Sequence, residues 1–104
     1  MKPKGRPKKT RLIAKAPKVV QFSPRGKPGR PDEVEISLEH YEAIRLADCQ
    51  GLEQAEGARE LGVSRATFGR ILREARKRVG EALAYGKIIR IVENLAAEKV
   101  QSEV

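Results

Sequence analysis

The sequence predicts a mainly α domain, three helices around a helix-turn-helix corner, trimmed by a two-stranded antiparallel ribbon pairing residues near 18–22 and 87–92. Three observations carry that expectation. From Ser64 onward, Phe68, Ile71, Leu72, Ala75, Val79, Ala82 and Leu83 recur at the spacing of one helix face. Just before them, ARELGVS at 58–64 breaks the helical pattern at Gly62-Val63 and restarts it on a serine, as two helices meeting at a tight turn require. Two β-branched runs, KVVQF at 18–22 and KIIRIV at 87–92, flank the helices.

A chain of 104 residues holds one domain with tails, divided here into an arm at 1–17, a domain at 18–92 and a tail at 93–104. The arm is rich in Lys and Arg, and Pro3, Pro7 and Pro17 block regular helix, leaving at most an extended piece at Leu12-Ile13. Residues 23–31, SPRGKPGRP, read as loop, and the acidic cluster Asp32, Glu33 and Glu35 as its solvated continuation. The first helix is expected from Ser37, whose side chain can cap it, with Glu39 favourable in the first turn. Leu38, Tyr41, Ile44, Ala47 and Cys49 are expected inward, Leu46 at the edge of that face, His40 partly exposed, and Gly51 as the stop. A second helix is expected over 54–61, with Ala58 and Leu61 inward. The third begins at the Ser64 cap and stops at Gly86. For 88–100 the competing reading is a continued helix through Ile88, Ile91, Val92, Leu95 and Val100.

Charge is distributed unevenly. Residues 1–31 carry eleven Lys/Arg and no acid, 32–63 carry two basic and nine acidic, and 64–80 carry six basic and one acidic, within a net charge of +8. A basic arm and a basic helix separated by an acidic block suit oriented binding to a polyanion. A membrane partner is disfavoured, since the arm lacks the apolar face of an interfacial helix and no apolar run reaches the roughly 18 residues of a span. MKPKGRPKK has no apolar stretch after its charges, so it does not read as a secretory signal, and the chain is expected in the cytoplasm, associated with the nucleoid.

The corner places specific demands on its residues. Ala58 supplies the small side chain where the helices cross, Gly62 the positive φ, and Val63, Phe68 and Ile71 the apolar lock. Ser64 turns the positive end of the third helix toward a phosphate. Arg65, Ala66, Thr67, Gly69, Arg70 and Arg73 then occupy the turns where a recognition helix meets base edges. Arg70 is the first candidate for a bidentate guanine contact and Arg65 the second. Ala66 or the Thr67 methyl suits a thymine methyl, and Gly69 suits close approach of the backbone to DNA. Arg76 and Lys77, with Arg78, lie too far along to read bases and fit phosphates or solvent. From the arm, Arg6, Lys8, Lys9 and Arg11 are candidate phosphate contacts. The repeated tripeptide Gly5-Arg6-Pro7 and Gly29-Arg30-Pro31 also suits an A/T-rich minor groove, on a shorter and weaker match.

Enzymatic chemistry finds no support. His40 is the only histidine and has no partner at metal-ligand spacing, Cys49 is the single cysteine and is expected in the core, and no phosphate-binding glycine loop or G-x-S-x-G is present. No cofactor and no metal are expected.

The stretch EISLEHYEAIRLADCQGLEQAEGARELGVSRATFGRILREARKRVGEALAYGKIIRI resembles a family of small prokaryotic proteins held to bind DNA through a helix-turn-helix similar to region 4 of sigma factors. The resemblance runs over roughly residues 8–91. It implies DNA binding and a regulatory role. Against that pattern, Glu53 stands where a serine usually caps the second helix and Gly57 where an alanine usually stands, each expected to weaken the helix by about 1 kcal/mol. Glu93-Asn94-Leu95 and a longer tail replace a glycine-rich end.

The expected function is sequence-specific binding of double-stranded DNA, with residues 64–77 in the major groove and the arm on the backbone, serving transcriptional regulation. The rivals are an interaction module that docks on RNA polymerase through the acidic first and second helices, and nonspecific architectural or RNA binding. RNA binding is the weaker because Phe22, Tyr41, Phe68 and Tyr85 are the only aromatics available to stack on bases. A homodimer is open on this reading, with no separate dimerisation helix evident outside the tail.

Overall fold

The structure is a computed structural model that describes residues 12–26, 29–93 and Leu95. In chain order it contains β1 (Gln21–Phe22), β2 (Glu33–Ser37), α1 (Leu38–Ile44) continued by a π-helical turn (Arg45–Cys49), α2 (Gln54–Leu61), α3 (Arg65–Tyr85) and β3 (Ile88–Val92). The result is three helices on a small three-stranded sheet, a mixed α/β domain rather than the mainly α one expected from sequence.

The expected ribbon forms, with Gln21 opposite Arg90 and Phe22 opposite Ile89 in an antiparallel pair. On the other edge of β3 lies a strand the sequence reading missed. β2 pairs parallel to β3 from Glu33 opposite Ile88 to Ser37 opposite Val92, in the order β1-β3-β2. Residues 33–37 alternate as a half-buried strand should, with Val34 and Ile36 buried beneath exposed Glu33 and half-buried Glu35. Of the acidic cluster expected as solvated loop, Glu33 and Glu35 form the outer row of this strand and only Asp32 stays ahead of it. Parallel pairing needs a long crossover, and here the whole helical segment provides it. β3 also displaces the competing helical reading of its residues, because Ile88–Val92 gain ladder partners on both sides.

Ser37 ends β2 and caps α1. Its Oγ accepts from the His40 N–H at 3.1 Å, while its own N–H donates to His40 Nδ1 at 2.9 Å. His40 is therefore 5% exposed, not partly exposed as expected. The π turn corrects the inward face of the first helix. Gln50 N–H reaches back five residues to the Arg45 carbonyl, which inserts a residue into the helical period. Leu46, at regular helical spacing from the buried Glu42 and Ala43, faces the core at 1% exposure, and Cys49, expected inside, is turned out past the inserted residue. Ala43 is fully buried, whereas Tyr41 and Ile44 line an open apolar groove of about 380 Å³ shared with Phe22, Ile36, Cys49 and Val79. Gly51, with φ at +77°, ends the segment as expected.

The principal core joins Ala43 and Leu46 to Ala58 and Leu61 of α2 and to Phe68, Ile71 and Leu72 of α3, with Ile13, Leu52 and Val63 packed against it. Ala75 and Ala82 continue the buried face of α3, and Val34, Ile36 and Ile91 are buried in the sheet. Leu83, expected inward, is 77% exposed, because Ala82 takes the covered face at that turn and Leu83 lies to its side. Glu53 and Gly57 do not behave as simple defects. The Glu56 carboxylate accepts from the Glu53 N–H at 3.3 Å. A methyl group at Gly57 would lie 2.5 Å from the buried Phe68 ring, so the ring occupies the space an alanine would need.

No helix among the described residues is long and apolar enough to cross a membrane.

Candidate nucleic-acid interface

α2 and α3 meet at a corner built from the residues that demand it. Gly62 has φ at +79°, a conformation strained for any residue with a Cβ, and its N–H bonds to the carbonyls of Ala58 and Arg59. The Val63 N–H also returns to the Ala58 carbonyl at 3.0 Å. These bonds satisfy the end of α2 while the chain reverses. Ser64 then caps α3, accepting from the Thr67 N–H at 3.1 Å and donating to Thr67 Oγ1 at 3.0 Å.

Beyond this cap the outer face of α3 is basic. Ala66, Arg70, Arg73 and Lys77 are exposed, as their spacing requires, and so is Arg65, the first residue of the helix. Arg70 Nη2 donates to Thr67 Oγ1 at 3.2 Å, which lays its guanidinium along the first turn. Arg65, Arg70 and Arg73 have no carboxylate partner among the described residues. An anion approaching this face therefore meets three guanidinium groups without first breaking an ion pair.

The later basic residues differ. Arg76 holds Asp48 through two bonds, Nη2 at 2.6 Å and Nε at 3.1 Å. The guanidinium keeps the Asp48 carboxyl below the usual carboxylate range. Arg78 bonds Glu74 at 2.8 Å and the Glu35 carbonyl at 3.0 Å, so it ties α3 to β2 rather than facing a ligand. Glu81 is bonded by Lys87, which lowers its pKa with a smaller contribution from Lys77. The pairing of Arg76 and Arg78, with Lys77 a turn beyond Arg73, narrows the candidate base-reading face to Arg65–Arg73.

Gly69 is half-buried at a notch bordered by Gln54, Leu72, Arg73 and Arg76. A Cβ there would meet only the Gln54 side-chain oxygen, at 3.2 Å, and Gln54 is exposed and free to move aside. Gly69→Ala is accordingly expected to stabilise the domain by about 0.5–1 kcal/mol through helix propensity. A lowered urea midpoint would show that Gln54 cannot yield.

Of the arm residues singled out from sequence, Arg6, Lys8, Lys9 and Arg11 lie outside the described residues, as does the tripeptide at 5–7. Sequence reasoning missed what holds the end of that arm. Leu12 N–H donates to the Leu61 carbonyl at 3.0 Å and Ala14 N–H to Glu42 Oε2 at 3.2 Å. Residues 12–14 thus belong to the domain rather than to the arm. Glu42 gave no sign of this in sequence, since a carboxylate in a helix ordinarily faces water.

A family model matches residues 1–96 of this chain. The chain belongs to the family described as Protein of unknown function DUF134. A UPF0251 protein of Prosthecochloris aestuarii is 43% identical over 101 residues, covering 96% of this DUF134 chain and 64% of the relative. A UPF0251 protein of Desulfosudis oleivorans is 49% identical over 87 residues, covering 83% of the chain and 63% of the relative. Another from Dehalococcoides mccartyi is 48% identical over 87 residues and is spanned to 74% of its length. The DUF134 chain therefore spans less than two thirds of the first two relatives. No solved structure matches it.

Proposed function

We propose that this DUF134 protein binds double-stranded DNA in a sequence-specific manner through a helix-turn-helix formed by α2 and α3, and that it regulates transcription. The observation that carries this reading is the outer face of α3, where Arg65, Arg70 and Arg73 stand exposed and, among the described residues, without carboxylate partners just beyond a tightly capped corner. An ordinary helical hairpin in water mixes acids with such cations at i, i+4 spacing. The first turns of α3 enter the major groove, Arg70 donates to a guanine edge, and Arg65 and Arg73 reach bases or the adjacent phosphates. Arg76, held by Asp48, supports the helix instead of reading bases.

Selection of bound fragments from random duplex DNA tests the proposal. The expected result is a defined motif that outbinds scrambled duplex by about a thousandfold at physiological salt. A palindromic motif adds a dimer to the reading. Steep salt dependence on every duplex, without enrichment, would reduce the activity to backbone binding. Arg70→Ala is expected to cost about 1–3 kcal/mol on the selected site and to relax preference at one base position. A uniform loss on all duplexes would remove Arg70 from base reading.

A second reading draws on the exposed Glu56 and Glu60 of α2 and Glu53 at its cap, an acidic edge that suits docking on RNA polymerase. Retention of polymerase by a variant lacking Arg65, Arg70 and Arg73 would favour it.

A further inference from the structure

Among the described residues six large apolar side chains are exposed, and three of them, Val19, Val20 and Phe22, lie on or just before β1. A fourth, Leu83, borders the same depression as Phe22, together with Pro24, Ala82 and Ile89. On its other side Phe22 closes the apolar groove of Tyr41, Ile44 and Val79. β1 therefore sits between two uncovered apolar depressions, and a cluster of this kind marks an interaction surface.

The strand is also the open edge of the sheet. In the order β1-β3-β2 the far edge is tied to α3, where Arg78 Nη1 donates to the Glu35 carbonyl at 3.0 Å. β1 has no such tie among the described residues. The Ile91 N–H donates to the Val20 carbonyl at 2.8 Å, so Val20 and Phe22 turn their backbone groups toward β3. Alternation then turns the N–H and carbonyl of Val19 and Gln21 out of the sheet, an arrangement that accepts another strand.

The residues of this edge fit a second copy of themselves. Antiparallel pairing about a two-fold axis at Gln21 lets the two Gln21 residues exchange both backbone bonds. The same register sets Val20, 56% exposed, opposite Phe22 of the partner subunit, and Phe22, 54% exposed, opposite Val20 of the partner subunit. Aromatic and β-branched side chains stabilise each other in such cross-strand pairs. Lys18 falls opposite a proline, Pro24 of the partner subunit, and Arg25 opposite Pro17 of the partner subunit, so no two cations face each other in a chain of net charge +8. Arg45 and Lys87, which border the two depressions, are already bonded to Glu42 and Glu81. The apolar surface itself thus offers no unpaired cation to an acidic partner.

We propose that two copies of this chain dimerise by joining β1 to β1 in that register, merging their three-stranded sheets into one continuous sheet and covering Phe22 and Leu83 of each copy. Leu83 lies about 27 Å along α3 from Arg65, so the interface leaves the basic face of the helix open. The dimer goes beyond the DNA reading and does not depend on it. Where α3 reads DNA, the two-fold axis relates two copies of the helix and the selected motif is palindromic.

Sedimentation equilibrium of the full chain is the test. The wild type is expected at twice its 11.6 kDa mass at micromolar concentration. Gln21→Pro removes the outward N–H without touching the ladder to β3, and Phe22→Glu sets a charge into each contact between Val20 and Phe22. Each is expected to weaken dimerisation on the order of a hundredfold, with far-UV circular dichroism recording the fold. Cross-linking reads the register independently. In a Cys49→Ser background, Gln21→Cys is expected to form an intersubunit disulfide on oxidation. Val19→Cys is not, because its two copies stand about 13 Å apart along the paired strands. A monomeric wild type would overturn the proposal. So would a dimer that either folded variant leaves intact, or equal cross-linking at positions 19 and 21. Mass and DNA affinity are separate readings, so failure of the dimer leaves the DNA reading standing, and the reverse.

Discussion

Replacing Phe68 with alanine is expected to destabilise the domain by about 3–5 kcal/mol, a large share of the stability of a small protein. Phe68 is fully buried at the junction of α1, α2 and α3, and its ring fills the space over Gly57. The ring and the glycine must therefore be considered together. Gly57→Ala improves helix propensity by about 1 kcal/mol, but its methyl would stand 2.5 Å from the ring, and overpacking a closed core costs about 1–3 kcal/mol. The expected net effect is destabilisation in the native background. With Phe68→Leu, which shortens the group facing position 57, the same Gly57→Ala substitution is expected to stabilise. Urea denaturation of the four proteins checks both signs. An additive cycle, with Gly57→Ala favourable throughout, would mean that the ring moves aside freely.

How far the sequence discloses this molecule depends on whether each element follows a period. α3 was legible because its apolar face repeats over its length and both ends carry their signals, Ser64 at the start and Gly86, with φ at +65°, at the stop. The corner was legible for the same reason, since each of its residues has a local demand that its neighbours do not mask. β2 alternates cleanly, but two acids in five positions, a third just before them and a Pro-Gly-rich approach concealed the period, and the partner of its parallel pairing lies some 55 residues away at β3. The first helix misled for a different reason. A helical wheel assumes one constant period, and the π turn at Arg45–Cys49 breaks it and turns Cys49 out, while the buried face runs through Ala43 and Leu46 rather than Tyr41. His40 closes a capping box through its ring nitrogen where Glu or Gln is the familiar partner. At the candidate interface, exposure of Arg70 and Arg73 followed from spacing, and that of Arg65 from its place at the start of α3. Which cations are already paired did not, because Asp48 and Arg76 lie 28 residues apart.

Glu42 carries the other large expected effect. Glu42→Ala would leave the Arg45 guanidinium, whose side chain is 14% exposed, without its carboxylate, and the Ala14 N–H without its acceptor. Loss of one partner from a buried pair costs about 3–5 kcal/mol, and the residual exposure of Arg45 places this case near 3 kcal/mol. Replacing both members, Glu42→Leu with Arg45→Leu, removes the stranded charge and is expected to recover most of that loss. Acid titration gives an independent check. Burial pushes the Glu42 pKa up, yet the hydrogen bonds from Arg45 and the Ala14 N–H, with the charge of Arg45, more than offset it, and the net shift is downward. The folded pKa thus lies below the unfolded value of about 4.3. Stabilisation from ionised Glu42 is complete above that pH and is lost as pH falls through the folded value. The stability gap between wild type and Glu42→Ala, widest near neutrality, should therefore narrow on acidification. A gap that stays constant from pH 7 down to pH ~3 would attribute the loss to the packing of the side chain instead of its charge.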